Sequence, residues 1–318
     1  MELRQLRYFV AIVDHGSLSR AAKVLHIVQP ALTQQLQQLE EELGATLLHR
    51  SAQGMQATDA GKVFYEHALA ILKQVSDAKS AVAQSTDKPS GTVALGIPQS
   101  ASGALAFPLL TAVRAAYPDI VFQLTEELTG NLTEQLRSGR LNLAILFDDG
   151  QLGHFSSTAL VEEEMMYITR AGSQFACKRK TMSLEKALQV PLILPSIQHG
   201  VRPRIEQVVR QQGLRIENVI DITSIAILKS ALMADMGATI LPVSPLLAEI
   251  ERGEMVATAI SDVQLSRTVS LCASKNIPLT NAAMAVEKLV LEVTRDLCQS
   301  KKWLGTKSLM ADASVRTK

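Results

Sequence analysis

Residues 29–38 carry amide and hydroxyl side chains at the spacing of one helix face. Glutamine offers a donor and an acceptor from one side chain, so it can pair with adenine in the major groove, while a threonine methyl can touch the thymine methyl. Leu32, Leu36, Leu39 and Leu43 recur every three or four residues and are predicted to face inward. This leaves outward Gln29, Thr33, Gln34, Gln35, Gln37 and Gln38. An ordinary solvated helix has the same spacing, so the polar row alone does not decide between the two.

The segments before this helix favour base recognition. Ser17 can serve as the N-cap of a short helix whose face carries the small Ala21 and Ala22, followed by a turn at residues 26–28. Pro30 then stands in the first turn of the next helix, where proline is tolerated. An earlier helix adds the apolar Leu3, Leu6, Phe9, Val10 and Val13. The pattern predicts a three-helix unit with a helix-turn-helix. The DNA-contacting residues we expect are Ser17, Arg20, Gln29, Pro30, Ala31, Thr33, Gln34, Gln37 and Arg50.

The order of motifs resembles one family. SLSRAA, QPAL, LEEELG and TDAG follow one another in register within residues 17–61. This order is similar to the N-terminal signature of LysR-type transcriptional regulators, and HIVQPAL with the paired glutamines resembles the nitrogen assimilation control group of that family. The resemblance implies a winged helix-turn-helix, an interrupted DNA dyad, a homotetramer and an effector domain. It also implies activation or repression of transcription, with RNA polymerase as a possible partner.

Charge in the N-terminal region is balanced. Residues 1–90 hold nine Lys or Arg against nine Asp or Glu, so their net charge is zero. DNA-binding domains usually carry a basic excess, which makes this balance an argument against strong phosphate contact. The distribution of the charges weakens this argument. Arg20, Lys23 and Arg50 lie near the predicted reading surface, whereas residues 40–42, all Glu, lie at its far end. We expect modest affinity per protomer and dependence on oligomerisation.

Composition limits the remaining classes. A length of 318 residues with 47% hydrophobic residues predicts two or three domains with sizeable cores. A net charge of +1 argues against a protein that binds polyanions over its whole surface. Neither a secretory signal nor a membrane span is indicated, so we expect a cytoplasmic protein without membrane attachment. Cys177, Cys272 and Cys298 lack C-x-x-C spacing, which favours isolated thiols over a disulfide or zinc site. We expect no metal and no cofactor.

A long helix is predicted from Asp59 to about Thr86, capped by Thr58. Apolar residues form a heptad seam along it, which a helix packed on its own domain could also show. The helix is longer than a small N-terminal unit can cover, so a second protomer is the simplest partner for the surplus. The predicted dimerisation residues are Phe64, Ala68, Ile71, Val75, Ala78 and Val82. The turn formers of residues 85–91 predict a boundary, giving domains 1–58 (winged helix-turn-helix), 59–90 (linker helix and hinge) and 91–300 (regulatory).

From Thr92 short β-branched runs alternate with helical stretches, a pattern typical of βαβ units. The pattern predicts an α/β regulatory domain, with subdomain I at 91–161 and 267–300 and subdomain II at 162–266. The resemblance implies the two-subdomain, periplasmic-binding-protein-like form of that fold. Residues 301–318 are expected to form a flexible tail.

Ligands of open α/β sheets bind beyond the carboxyl ends of the strands, so a cleft between the subdomains is the expected site. Polar residues follow the strands there, and they suit a small, anionic effector, although Ser and Thr in such positions are more often helix caps. The resemblance implies that inducers bind in such a cleft. The effector-contacting residues we expect are Gln99, Ser100, Ser102, Thr129, Phe147, Ser196 and Thr223. His199 is a further candidate contact, with a plain loop histidine as the alternative.

Three alternatives remain. A solute-binding protein shares a two-lobed cleft but has no helix-turn-helix. An enzyme is disfavoured, because nucleotide-binding, zinc-protease and serine-hydrolase motifs are absent from the sequence and its histidines lack metal-ligand spacing. A LysR-type regulator that acts without an inducer, controlled by its own abundance, is the closest alternative to an effector-controlled one.

Overall fold

The computed structural model describes residues 1–51, 54–83, 88–148, 152–197 and 200–310. The chain divides into two compact units, residues 1–83 with 138–140 and residues 84–137 with 141–318. Each unit has its own buried apolar clusters.

The N-terminal unit combines helices with a short antiparallel ribbon. Its elements are α1 (Leu3–His15), α2 (Leu18–Val24), α3 (Gln29–Leu43), β1 (Leu48–Ser51), β2 (Gly54–Ala57) and α4 (Asp59–Ala83). Leu6, Phe9 and Ile12 of α1 pack in one cluster with the buried leucines of α3. The predicted three-helix unit is therefore present, and β1 pairs with β2 as a wing. The long helix ends at Ala83, and residues 84–87, where we expected its last turn, lie outside the described residues.

The start of α4 is attached to the chain that enters the wing. The Thr58 hydroxyl donates to the Thr46 carbonyl (2.7 Å) and accepts from the Gly61 N–H (2.9 Å), so it caps α4 and holds the preceding turn. Gly61 leaves the space for this contact, because a Cβ there would lie 2.0 Å from the Leu47 carbonyl oxygen. The Thr-Asp-Ala-Gly motif thus fixes the wing against α4.

The C-terminal unit is an α/β structure with a long central strand. Its first half comprises β3 (Gly91–Pro98), α5 (Gln99–Ala116), β4 (Ile120–Glu127), α6 (Thr129–Arg137), β5 (Leu143–Phe147) and β6 (Phe155–Arg170). Its second half comprises β7 (Thr181–Met182), α7 (Leu184–Leu188), β8 (Leu192–Pro195), α8 (Val201–Gln211), β9 (Val219–Ile222), α9 (Ile225–Met233), β10 (Thr239–Pro242), α10 (Leu247–Glu251), β11 (Met255–Ile260), β12 (Ser266–Ser274), α11 (Asn281–Gln299) and β13 (Thr306–Ser308).

Two subdomains meet along β6. Within the described residues the sheet runs β4-β3-β5-β12-β6-β11-β7, and β10 and β13 also pair with β6. β3 is parallel to β4 and β5, and β8 is parallel to β9, as the βαβ pattern predicts. One apolar cluster surrounds β3, β5 and α11, and a second lies among β8, β10 and α8. The predicted two-subdomain α/β fold is confirmed.

The pairing of β12 with β6 contains a bulge. Val269 pairs with Val161 and the next residue, Ser270, pairs with Ala159, so Leu160 has no partner in β12. Its carbonyl instead accepts the N–H of Leu309 at 3.0 Å. This bond continues the pairing of β13 along the edge of β6 opposite β12, so the segment after α11 covers that edge at the level of the bulge.

The expectation of a flexible tail from residue 301 is wrong for residues 301–310. Trp303 is 2% exposed within the first cluster, and β13 pairs with Val161–Glu163 of β6. Burial of the indole and these strand hydrogen bonds hold the segment against the sheet. Residues 311–318 of the predicted tail lie outside the described residues.

The structure shows no bilayer-crossing helix in the part of the chain that it describes, where every helix is too short or too polar for that role.

We predict that Gly61→Ala lowers the free energy of unfolding of the N-terminal unit by about 2–3 kcal/mol, because backbone atoms of Leu47 must move to admit the methyl group. Gly130→Ala in α6 is the matched control, since its Cβ meets nothing within 4 Å and its effect should be neutral or stabilising by up to about 1 kcal/mol. Urea unfolding followed by circular dichroism measures both. Equal stabilities of the two variants would contradict the role given to Gly61.

Candidate DNA interface and regulatory cleft

α2 and α3 form a tight helix-turn-helix. The Ser17 side chain accepts the Arg20 N–H at 3.4 Å and so caps α2 as predicted. Ala21 and Ala22 are buried, which lets α1 and α3 approach α2 closely. His26 holds the turn in the left-handed region with φ of 55°, a conformation that is uncommon for a residue other than glycine.

The outer face of α3 carries the predicted polar row. Leu32, Leu36 and Leu39 are buried, and the opposite side exposes Gln29, Pro30, Ala31, Gln34 and Gln37, with Thr33 half-buried. This arrangement leaves amide groups and a small apolar surface outward at the start of the helix. It has the size and chemistry that major-groove recognition requires.

Two contacts orient the first residues of that face. The Ser19 hydroxyl donates to Gln29 Oε1 at 2.7 Å, so the amide oxygen is engaged and its nitrogen is the donor that a base would meet. The Thr33 hydroxyl donates to the Gln29 carbonyl at 3.1 Å and is therefore used within the helix. Ser19 was not among the predicted site residues, since only its position opposite Gln29 in space shows its role.

The wing is held against the turn between α1 and α2. The Met55 N–H donates to the Gly16 carbonyl at 2.9 Å, and a Cβ on Gly54 would lie 2.3 Å from the same oxygen. Arg50 is exposed on β1, on the same unit as the exposed Arg20. Residues 52 and 53, at the tip of the wing, lie outside the described residues.

Glu40 anchors the segment that leads into the wing. Its Oε1 accepts the N–H groups of Leu47 and Leu48 at 2.7 and 3.1 Å. We expected Glu40 to belong only to the acidic end of α3, and this contact was not predicted. Its place beside Leu39 and one turn after Leu36 was the available signal, because that spacing turns Glu40 partly inward.

The predicted seam on α4 has two parts. Phe64, Ala68 and Ile71 pack on the core of the N-terminal unit, and the Phe64 ring lies 5.1 Å from that of Phe9. Beside them the Tyr65 hydroxyl donates to Asp14, and burial together with this contact raises the pKa of Tyr65 to about 12. Farther along, Val75 is half-buried, Ala78 is exposed and Val82 is 90% exposed. The second part of the seam is therefore not packed on the core of the N-terminal unit.

The C-terminal unit has a cleft of about 850 Å³ between its subdomains. Thr129 and Phe147 line it from subdomain I, and Gly200 and Arg204 line it from subdomain II. A Cβ on Gly200 would lie 2.7 Å from the Phe147 ring and 3.3 Å from the Thr129 hydroxyl, so glycine permits this close approach. Of the expected effector contacts, Thr129 and Phe147 are thus brought together.

A buried ionic cluster lies at the floor of the cleft. Arg267, which lines the cleft, donates to Glu163 Oε2 from Nε (2.9 Å) and Nη2 (2.7 Å) and to the Ser100 hydroxyl (3.0 Å). Trp303 Nε1 donates to Glu163 Oε1 at 3.0 Å, and the guanidinium carbon of Arg267 lies 3.5 Å above the centre of the Phe147 ring. Burial lowers the pKa of Arg267 from its usual value, and the Glu163 carboxylate acts against that shift.

Apart from Ser100, which contacts Arg267 at the cleft floor, the other expected effector contacts lie outside the cleft lining. The Ser102 hydroxyl donates to the Gln99 carbonyl at 3.1 Å, within the first turn of α5. Gln99 Oε1 and Ser196 Oγ are buried without a hydrogen-bond partner among the described residues. Thr223 stands two residues before the start of α9, and His199 lies outside the described residues. Groups of His, Cys, Asp or Glu suited to a metal ion are absent from the described ranges.

Residues 3–62 match the family described as "Bacterial regulatory helix-turn-helix protein, lysR family", and residues 86–295 match "LysR substrate binding domain". The nitrogen assimilation regulatory protein nac of Escherichia coli (strain K12) is 36% identical over 307 residues, 95% of this chain and 99% of that protein. Nac of Klebsiella aerogenes is 34% identical over 92% of this chain and 95% of its own length. The chain belongs to the LysR family of transcriptional regulators.

This LysR-type regulator is a DNA-binding protein with an effector-binding type of C-terminal domain, as its motifs predicted. A single-substitution variant of full-length OxyR from Pseudomonas aeruginosa is similar with a TM-score of 0.67 at 19% identity, covering 93% of this chain and 95% of that one. Full-length CbnR in complex with its target DNA has a TM-score of 0.54 at 23% identity, covering 92% and 100%. These two likenesses establish the fold.

For this LysR-type regulator we predict that Glu40→Ala lowers the free energy of unfolding of the N-terminal unit by about 1–3 kcal/mol, because two backbone N–H groups lose their acceptor. Glu41→Ala removes the same charge from a neighbouring exposed position and should change stability by less than about 0.5 kcal/mol. Urea unfolding compares the two variants. A similar loss in both would show that charge, and not this contact, determines stability there.

Proposed function

We propose that this regulator reads duplex DNA with the N-terminal half of α3. Gln29, Thr33 and Gln34 contact base edges, Pro30 and Ala31 lie against the groove, and Gln37 follows farther along. The single observation that supports this proposal is the exposed amide row backed by buried leucines. Because Ser19 engages the Gln29 oxygen, the Gln29 nitrogen meets acceptors such as purine N7.

Phosphate contacts come from the exposed cations near that face. Arg20, Lys23 and Arg50 are exposed. The Ser17 N-cap sits at the start of α2, where a helix N-terminus favours an anion. With few cations, each protomer binds weakly, so affinity depends on joining two half-sites of an interrupted dyad.

Replacing Gln29 and Thr33 together with alanine should weaken binding to a duplex selected by the wild-type protein roughly 10–100-fold, since a good base contact contributes about 1–3 kcal/mol. Gln38→Ala, on the same helix but bonded to Gln35, is the control and should bind within about twofold. Competition gels with the selected duplex and a scrambled one measure selectivity. Undiminished selectivity in the double variant would overturn the proposed reading face.

The C-terminal part of the α4 seam supports dimerisation through this helix. Val75, Ala78 and Val82 continue the heptad pattern beyond the core of the N-terminal unit, and Val82 is nearly fully exposed. Phe64, Ala68 and Ile71 stabilise the unit itself and place the start of the seam. A tetramer on an interrupted dyad extends this proposal. One neighbour, CbnR, has been seen with its target DNA.

Charging the seam should separate the protomers. Val75→Glu with Val82→Glu is expected to shift the mass in solution towards a smaller species, because two buried carboxylates per helix face each other in a dimer. Val63→Glu changes an exposed valine of the same helix outside the seam and should leave the mass unchanged. Light scattering coupled to size-exclusion chromatography measures the masses. An unchanged mass for the double variant would show that the seam is not the contact.

The cleft supports control by a small, anionic effector. Thr129 and Phe147 contact it directly, and Arg204 of α8 supplies a cation at the cleft wall. Gln99 and Ser196 lie outside the cleft lining and have buried polar atoms without a partner among the described residues, whereas Ser100 and Ser102 already have internal hydrogen bonds. Thr223 completes the expected set. The alternative is a regulator that acts without an inducer and depends on its own abundance.

The relatives suggest the process that is controlled. The two proteins of 36% and 34% identity are named for nitrogen assimilation, so we infer that this chain regulates genes of nitrogen metabolism in the cytoplasm, by binding and without catalysis. RNA polymerase is its proposed partner at the promoter.

One relative of 27% identity is named a hydrogen peroxide-inducible genes activator, but peroxide sensing through Cys272 or Cys298 is not favoured here. Burial raises the pKa of the Cys272 thiol to about 12 and raises that of Cys298, which disfavours the reactive thiolate.

A further inference from the structure

The Arg267 guanidinium donates from two of its three nitrogens to a carboxylate of its own chain, while its buried Nη1 has no hydrogen-bond partner among the described residues. Glu163 Oε2 accepts from both Nε and Nη2, so one carboxylate oxygen meets two charge-assisted donors on one side of the guanidinium. Arg267 also lines the cleft and lies against the Phe147 ring, which lines it too. Glu163 thus stands where an anionic ligand would pair with the buried cation of the cleft floor.

The pair is removed from water. The side chains of Arg267 and Glu163 are 2% and 1% exposed, so neither charge is screened by solvent. A buried cation without its counter-ion is strongly destabilising, whereas a paired one is neutral in charge. The carboxylate is also fixed from its other side, because Trp303 donates to Oε1 and belongs to the segment that leads into β13.

We propose that Glu163 is a built-in counter-ion that replaces an anionic effector at Arg267 and keeps the regulatory unit in its DNA-binding arrangement without added ligand. This inference rests on the proposed function, because it concerns control at the same cleft. An effector, where one binds, meets Thr129 and Arg204 at the cleft wall and leaves the buried cation paired.

Truncation of Glu163 gives a direct test with a known small anion. Glu163→Ala removes Cγ and the carboxylate, which together have the heavy atoms of acetate. Acetate can therefore refill the space, pair with Arg267 and accept from Trp303. Acetamide has a similar shape without the charge and is the matched solute. Trp303 is the chain's single tryptophan, so its fluorescence reports directly on this position.

The experiment compares wild type, Glu163→Ala and Glu164→Ala in acetate, acetamide and chloride at equal ionic strength. Glu164 is exposed and is the matched charge control. We expect Glu163→Ala to melt roughly 10 °C below wild type without acetate. At an acetate concentration 100 times its dissociation constant, the unfolding equilibrium should recover about 100-fold. Trp303 fluorescence should change with the same concentration dependence, and the other two proteins should not respond specifically.

Affinity for DNA separates control from mere stability. With a duplex selected by the wild-type protein, Glu163→Ala should bind on the order of tenfold more weakly and recover in acetate but not in acetamide. If acetate restores melting but leaves affinity for DNA unchanged, Glu163 is only a structural residue and the inference is overturned. The absence of any acetate-specific response in a folded variant also overturns it.

A second variant covers the case in which Glu163→Ala does not fold alone. Glu163→Ala with Arg267→Met removes both charges and should fold without responding to acetate, while Glu163→Ala should fold when acetate is present throughout purification. If Glu163→Ala fails to fold in acetate while the double variant folds, the inference is overturned. Failure of the wild-type protein to select any duplex would instead count against the proposed function, and the melting and fluorescence tests would still stand.

Discussion

Burial of Leu32, Leu36 and Leu39 determines which side of α3 faces outward, and the proposed DNA-reading surface depends on it. Each buried leucine contributes about 1.5–3 kcal/mol relative to an exposed one, more than any single polar contact on the opposite face. Rotation of the helix by one residue would expose leucine and bury amide, at a cost that no hydrogen bond of the row could offset. The apolar face therefore determines which residues form the polar face, and Ser19 adds only the orientation of the Gln29 amide.

Elements with a strong period could be predicted from the sequence. The three N-terminal helices, the long α4 and the βαβ units follow from spacing of apolar residues, because those residues make the contacts that form the elements. Short elements of subdomain II, such as α7 and α10, have too few residues to show a period. The ordered segment after α11 was also not predicted, because its basic residues indicate a solvated tail although its one indole, that of Trp303, is buried.

Contacts that join distant residues were beyond sequence reasoning. Arg267 and Glu163 are separated by 104 positions, and no local pattern marks either as paired. Glu40 and Glu163 both turn inward to meet donors, one in each unit. In both units a carboxylate therefore fixes geometry near the functional surface. The seam on α4 was predicted from its heptad period. Which of its residues pack on the N-terminal core and which stay uncovered depends on the packing of α1, and the sequence does not show that packing.

The bulge at Val269 and Ser270 has a mechanical consequence for the C-terminal unit. β6 runs uninterrupted through both subdomains, so any change in the angle between them must be absorbed as twist within the paired strands. A single unmatched residue, Leu160, concentrates that compliance at one level of the sheet, where the segment after α11 pairs with the opposite edge of β6. Pairing with this segment thus stiffens the joint, and removing it would soften the pivot.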